Sequence, residues 1–213
     1  MSERPLYVAL GDSLTVGIGS TLFQPNFVKL YQQSLERYFM QPVQRISFAK
    51  NGAVTRQILE NLQQPETAAA VHSASFITLT AGGNDLLHAG KNWLKTGDRV
   101  TLNNAIQACV ATIETILRTI FDIHMDNPQP FCVRVLNLYN PMPQIRESYV
   151  WLESYNQQLA ALERSPFVKI ADVYHTFYGR EPMLLSFDHT HPNPMGYRMM
   201  ADTVIQLGYA PVG

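Results

Sequence analysis

Five short apolar runs, each leaving at a polar turn and most followed by residues that return in apolar steps of three and four, constrain the fold of this chain most strongly. Residues 6–10 run into Gly11-Asp12-Ser13, and from 27 to 39 the residues Phe27, Leu30, Tyr31, Leu35, Tyr38 and Phe39 recur at helical spacing. Residues 43–49 form a weaker second run broken by Gln44, Arg45 and Ser47, and Thr55 opens a helical stretch through Ile58 and Leu62 that Pro65 is predicted to end. Residues 75–80 (SFITLT) are β-branched and aromatic and run into Ala81-Gly82-Gly83-Asn84-Asp85, after which a polar loop is predicted.

The second half keeps the plan. From 100 to about 122 the residues Leu102, Ile106, Cys109, Val110, Ile113, Ile116, Leu117 and Ile120 make a long stripe that stops before DNPQP. Residues 131–138 read as a fourth strand, 146–162 as a helix, 167–171 as a short fifth strand and 194–207 as the last helix. Strands separated by helices predict an α/β fold with a parallel sheet covered on both faces, because each parallel connection needs a crossover. With 213 residues and 46% hydrophobic content, one sizeable core and a single domain spanning 1–213 are expected.

Charge excludes some partners. Sixteen basic against 17 acidic residues give a formal charge of -1 with no basic run, so nucleic acid and anionic membrane surfaces are not expected partners. The first apolar run is short, has no basic region before it and no small-residue cleavage site after it, which predicts a cytoplasmic protein; a mature form stripped of a leader would read the same. Nowhere do 18 apolar residues run together, so no transmembrane segment is expected. Cys109 and Cys132 lack CxxC spacing and are read as buried thiols, with a disulfide between them or a reactive thiol as the alternatives.

Open parallel sheets place ligands beyond the carboxyl ends of their strands, so the polar residues there carry the chemical search. Gly11-Asp12-Ser13 follows the first strand, Gly82-Gly83-Asn84-Asp85 follows the third, and Asp188-His189-Thr190-His191-Pro192 precedes the last helix. Singly, each reads as a turn, a cap or a solvated loop residue. Together they supply a serine, a base, an acid and an amide donor, the parts nucleophilic catalysis needs. Ser13 can expose Oγ at a turn. His191 can serve as the base, with Asp188 three residues earlier accepting from its Nδ1–H and leaving Nε2 for Ser13. His189, which adjoins Asp188, is read as a polar neighbour. A metal held by Asp188, His189 and His191 is the weaker reading, since it leaves Ser13 and Asn84 idle. The serine lacks the Gly-x-Ser-x-Gly elbow, Thr15 standing where the last glycine would be, and neither a dinucleotide nor a phosphate-loop motif occurs.

These blocks resemble the GDSL family of the SGNH hydrolase superfamily, in family order and across almost the whole chain. Gly11-Asp12-Ser13-Leu14 is similar to its first block, Asn51-Gly52-Ala53-Val54-Thr55 to its second, Gly82-Gly83-Asn84-Asp85 to its third and Asp188-His189-Thr190-His191-Pro192 to its fifth. The resemblance implies Ser13 as nucleophile, Asp188 and His191 as acid and base, and an oxyanion hole formed by the N–H groups of Ser13 and Gly52 with the Asn84 side chain. The second block departs from the family pattern just before Gly52, where Lys50-Asn51 stands. A flavodoxin-like three-layer α/β/α sandwich with five parallel strands in the order 2-1-3-4-5 is implied as well, with neither metal nor organic cofactor.

The expected activity is serine-dependent hydrolysis of carboxylic esters through an acyl-enzyme. Leu86, Leu87 and Trp93 after the third block, and Tyr139, Asn140, Pro141, Met142 and Pro143 after the fourth strand, are candidate site walls whose character favours an ester with an apolar acyl group. Lysophospholipid, thioester and acetylated-sugar substrates are allowed by the resemblance. A catalytically weak lipid- or carbohydrate-binding protein on the same fold is the competing reading from another class. Nothing in the sequence excludes a homo-oligomer.

Overall fold

The computed structural model of the chain describes residues 4–21 and 24–213, so the part of the leader reading that rests on residues 1–3 lies outside the described residues. In chain order the elements are β1 (Leu6–Gly11), α1 (Ser13–Val16), α2 (Phe27–Phe39), β2 (Gln44–Ala49), α3 (Thr55–Leu62), α4 (Pro65–His72), β3 (Phe76–Thr80), α5 (Gly83–Thr96), α6 (Arg99–His124), β4 (Cys132–Leu136), α7 (Arg146–Ala160), β5 (Val168–Ala171), α8 (Val173–Phe177), α9 (Glu181–Leu184) and α10 (Pro194–Gln206).

All four strand pairings are parallel and the sheet order is β2-β1-β3-β4-β5, as the family resemblance implies. Pleating sends alternate side chains to opposite layers. On β1, Val8 and Leu10 pack with Ile77, Leu79, Val133 and Val135 under α3 to α7. Tyr7 and Ala9 face the other way, with Phe76, Cys132 and Leu136 under α2, α8 and α10. The stripe of α6 closes the first layer; its buried Leu102, Ile106, Ile113, Ile116, Leu117 and Ile120 each contribute about 1.5–3 kcal/mol of burial. Because the chain turns one way from β1 to β2 and the other way to β3, the crevice at the carboxyl ends of β1 and β3 is where strand order reverses.

The structure corrects several sequence expectations. Pro65 does not only end α3; it opens α4, where its fixed φ and missing N–H suit a first helical position. The polar loop expected after Asp85 is instead α5, fourteen residues long. Its buried stripe is thin, Leu86 and Gly90 with Trp93 partly covered, and a glycine in the stripe hides the periodicity. The short helices α8 and α9 were not anticipated. The two thiols are free and pack in different layers, Cys109 in the first and Cys132 in the second, so the sheet separates them and the disulfide alternative falls. Among the described residues no helix is long and apolar enough to cross a membrane.

Candidate active site

Ser13 stands at the first position of α1, directly beyond β1. Asp12 caps that helix, accepting the Leu14 N–H at 3.0 Å through Oδ1. The same oxygen accepts the hydroxyl of Thr80, at the end of β3, at 2.9 Å; Thr80 in turn accepts the Asp12 N–H and lies 2.8 Å from the Thr15 hydroxyl. The turn is therefore tied to the neighbouring strand. Burial pushes the Asp12 carboxyl up, against the hydrogen bonds from Leu14, Thr80 and its own N–H. As the first residue of a helix, Ser13 has a backbone N–H with no intrahelical acceptor.

The candidate acid and base share one tight loop. An isolated bridge between Leu185 and Pro192 closes it, the Ser186 N–H donates to the His191 carbonyl at 2.7 Å, and Asn193 caps α10 immediately after it. Asp188 Oδ2 accepts from His191 Nδ1 at 2.6 Å, which fixes the proton on Nδ1 and leaves Nε2 facing Ser13 Oγ at 2.9 Å. Oδ1 accepts the Ser186 hydroxyl at 2.7 Å and the N–H groups of Thr190 and His191 at 2.9 Å each. His189 is exposed, at a φ of 55°, and His191 is the histidine that reaches the serine.

Partial burial pushes the Asp188 carboxyl up, but the four hydrogen bonds outweigh it and hold it well below the usual carboxylate range. Its folded-state pKa being depressed, its contribution to stability is complete above the unfolded carboxylate value of about 3.9 and is lost as pH falls through the folded value. The melting-temperature difference between wild type and Asp188→Asn is therefore expected not to narrow from pH 8 to 5 and to shrink below about pH 4. A difference that closes between pH 7 and 5 would contradict this geometry.

Aspartate and histidine three residues apart do not suffice to make such a site. Asp172 and His175 at the end of β5 repeat the spacing and the 2.6 Å Nδ1 to Oδ2 distance. There the imidazole is 75% exposed, and Asp172 serves as the cap of α8 and as acceptor for Asn137. What distinguishes Asp188 and His191 is the serine across the crevice.

Asn84 lies in the first turn of α5, and its Nδ2 donates to the Ala53 carbonyl at 2.9 Å, so one amide hydrogen is engaged and the second is free for a ligand. Asp85, to which the sequence assigns no role, binds the start of α3: its two oxygens accept the Thr55 N–H at 3.0 Å and hydroxyl at 2.8 Å. The loop that carries Gly52 is thus held from α5 at two points. Gly52 itself is exposed with a φ of 78°, and the side chain that reaches the cleft from this loop is its neighbour Asn51.

Gly82 caps α5 at a φ of 96°, and a Cβ there would run into the hydroxyl of Tyr155, which donates to the Ala81 carbonyl at 3.0 Å. Gly82→Ala is expected to cost about 2–4 kcal/mol through left-handed strain and overpacking. Because it also displaces Asn84, it should lower turnover more than an equally destabilising core substitution does; thermal melts and steady-state rates check both.

Ser13, Asn84 and His191 open onto a cleft of about 140 Å³ walled by Leu86, Leu87, Leu138, Met142, Trp151 and Leu152. Of the walls expected from sequence, Leu86, Leu87, Tyr139, Pro141 and Met142 are in place. Trp93 stands behind Trp151, their ring centres 4.6 Å apart; Pro143 lines a separate surface pocket, and Asn140 is buried with its side chain bonding Ser148 and the Met142 N–H. Trp151 and Leu152 were not foreseen, although Leu152, Tyr155 and Leu159 mark the inward stripe of α7.

A sequence model of the GDSL-like lipase/acylhydrolase family matches residues 9–199. The chain is 39% identical over 203 residues to the spore germination lipase LipC of Bacillus licheniformis, covering 95% of this chain and 96% of that protein. Among solved structures it is similar to the lipase Lip_vut3 from a goat rumen metagenome, with a TM-score of 0.95 and 38% identity over 99% of this chain and all of the other. It shares its fold with Axe2, an acetylxylan esterase from Geobacillus stearothermophilus, at a TM-score of 0.71 and 13% identity over 98% of this chain and 97% of Axe2. The chain belongs to the GDSL-like lipase/acylhydrolase family and is a serine-dependent ester hydrolase that works through an acyl-enzyme.

Proposed function

We propose that Ser13 is the nucleophile, His191 the base and Asp188 the group that orients it. Ser13 Oγ attacks the ester carbonyl while its proton passes to His191 Nε2, and Asp188 stabilises the imidazolium. The oxyanion receives the free Asn84 amide hydrogen and the N–H groups of Ser13 and Gly52, the last supported by the ties from Asn84 and Asp85 to its loop. His191 then gives its proton to the leaving alcohol and activates water against the acyl-enzyme. The observation that carries this reading is the unbroken chain Ser13 Oγ, His191, Asp188 at 2.9 and 2.6 Å.

The acyl group of the substrate is apolar, and the enzyme acts as a carboxylesterase or lipase on uncharged esters. Support comes from the leucine, methionine and tryptophan walls of the cleft and from the extended similarity to a protein named as a lipase. A serine-directed phosphonate is expected to phosphonylate Ser13, Oγ displacing its leaving group from phosphorus, and abolish turnover, and aliphatic esters should outrank acetylated sugars, thioesters and lysophospholipids in kcat/KM. Labelling elsewhere would overturn the assignment of the nucleophile. A preference for acetylated sugars would overturn the substrate class alone.

A further inference from the structure

One side chain of the cleft wall faces two spaces. Trp151 lines the cleft at Ser13 and also a second cavity of about 220 Å³, which lies among Arg99, Leu102 and Asn103 of α6 and Glu147 and Val150 of α7. Its indole is held edge to face against Trp93 of α5, at 72°. Gly90, one turn before Trp93, makes room for it: a Cβ at that position would stand 3.1 Å from Trp151 Cζ3. The Trp93 Nε1 is buried without a hydrogen-bond partner, a cost accepted where the two rings meet.

Resting on the reading that Ser13 is acylated and the apolar cleft takes the acyl chain, we propose that Trp151 is the partition between the cleft and the second cavity and sets the longest acyl chain accepted. The cleft that takes a chain on Ser13 is walled by Leu86, Leu138 and Leu152, and the indole belongs to the same wall. Beyond the indole lies this second space, with Leu102 and Val150 as apolar contacts and the exposed Arg99, Asn103 and Glu147 around it. Removing the ring joins the two spaces, so added methylenes gain burial instead of meeting a wall. Filling the place of Gly90 has the opposite effect, since a methyl group at that position presses the ring.

The test is the kcat/KM profile of p-nitrophenyl esters from acetate to palmitate. Trp151→Ala is expected to move the optimum to longer chains and raise the ratio of long- to short-chain kcat/KM by about tenfold or more, the scale on which pockets read methylenes. Gly90→Ala is expected to move the optimum towards short chains. Asn103→Trp in the Trp151→Ala background refills the second cavity and should pull the ratio back towards wild type. Trp151→Leu keeps apolar volume in the wall and should shift the profile in the direction of Trp151→Ala, so the idea stays testable if the alanine variant does not fold. Profiles that scale uniformly at all chain lengths in the Trp151 variants would overturn the partition while leaving Ser13-dependent hydrolysis standing. Ester turnover left at the wild-type rate by Ser13→Ala would instead overturn the reading beneath it.

Discussion

Ser13→Ala is expected to lower ester turnover by about a thousandfold or more while leaving the melting temperature close to wild type, because it deletes the covalent route and little else. The hydroxyl has His191 Nε2 as its side-chain partner, and the turn around it is held by Asp12, Thr80 and Thr15. None of the bonds that hold the turn uses Ser13 Oγ, and alanine suits the start of a helix. The oxyanion donors also survive, since the N–H of residue 13 belongs to the backbone. Residual hydrolysis above the uncatalysed rate is therefore expected, with water attacking the bound ester directly. Pre-steady-state assays with substrate in excess would show the difference as loss of acyl-enzyme formation. A variant that kept acyl-enzyme formation and its kcat would remove Ser13 from the mechanism.

Arg134→Met is expected to cost about 3–5 kcal/mol of stability, a fall of roughly 10 °C or more in melting temperature, without touching the site. Arg134 lies in the middle of β4 and is fully buried. Its partners are carbonyls: Nε and Nη2 donate to Gly208 at 3.2 and 2.8 Å, Nη2 to Ala210 at 2.8 Å, and Nη1 to Val133 at 3.2 Å. Gly208 follows the end of α10, whose Leu207 carbonyl accepts Lys169 Nζ at 2.9 Å. The charge is thus met by main-chain carbonyls just past the end of α10, and among the described residues no carboxylate takes part. Methionine matches the length of the stem but leaves these carbonyls unpaired in the interior. Denaturant titration should show a lower midpoint with an unchanged slope, and Arg134→Lys, which keeps the charge but not the fork, should fall between. An unchanged midpoint for Arg134→Met would show that water reaches these carbonyls.

The two residues differ in how far the sequence discloses them. Ser13, Asn84, Asp188 and His191 are legible because each sits in a short polar block at the end or beginning of an element, where a parallel sheet puts its ligands. Arg134 interrupts an apolar run, which marks it as unusual, but its acceptors at Gly208 and Ala210 are main-chain groups about 75 residues away and leave no trace in side-chain identity. Thr80 and Asp85 fail for a related reason: their partners Asp12 and Thr55 are 68 and 30 residues away, so neither spacing nor periodicity connects them. At the level of the fold, the strands and the long α6 stripe are read to within a few residues. Both α4 and α5 escape, one because proline stops a helix and starts one equally well, the other because Gly90 empties its stripe where Trp151 needs the space.

The bridged loop from Leu185 to Pro192 has a mechanical consequence. With Asp188 and His191 on one closed strip of chain, their mutual geometry is local, and the proposed triad contains a single seam, the gap between His191 and Ser13. Two tyrosines fix the sides of that seam: Tyr139, beyond β4, donates to the Thr190 carbonyl at 2.7 Å, and Tyr197 of α10 donates to the Ile18 carbonyl, just past α1, at 2.6 Å. The enzyme has one clearance to keep rather than two, and it keeps it with phenols whose hydroxyls are bonded to main-chain carbonyls.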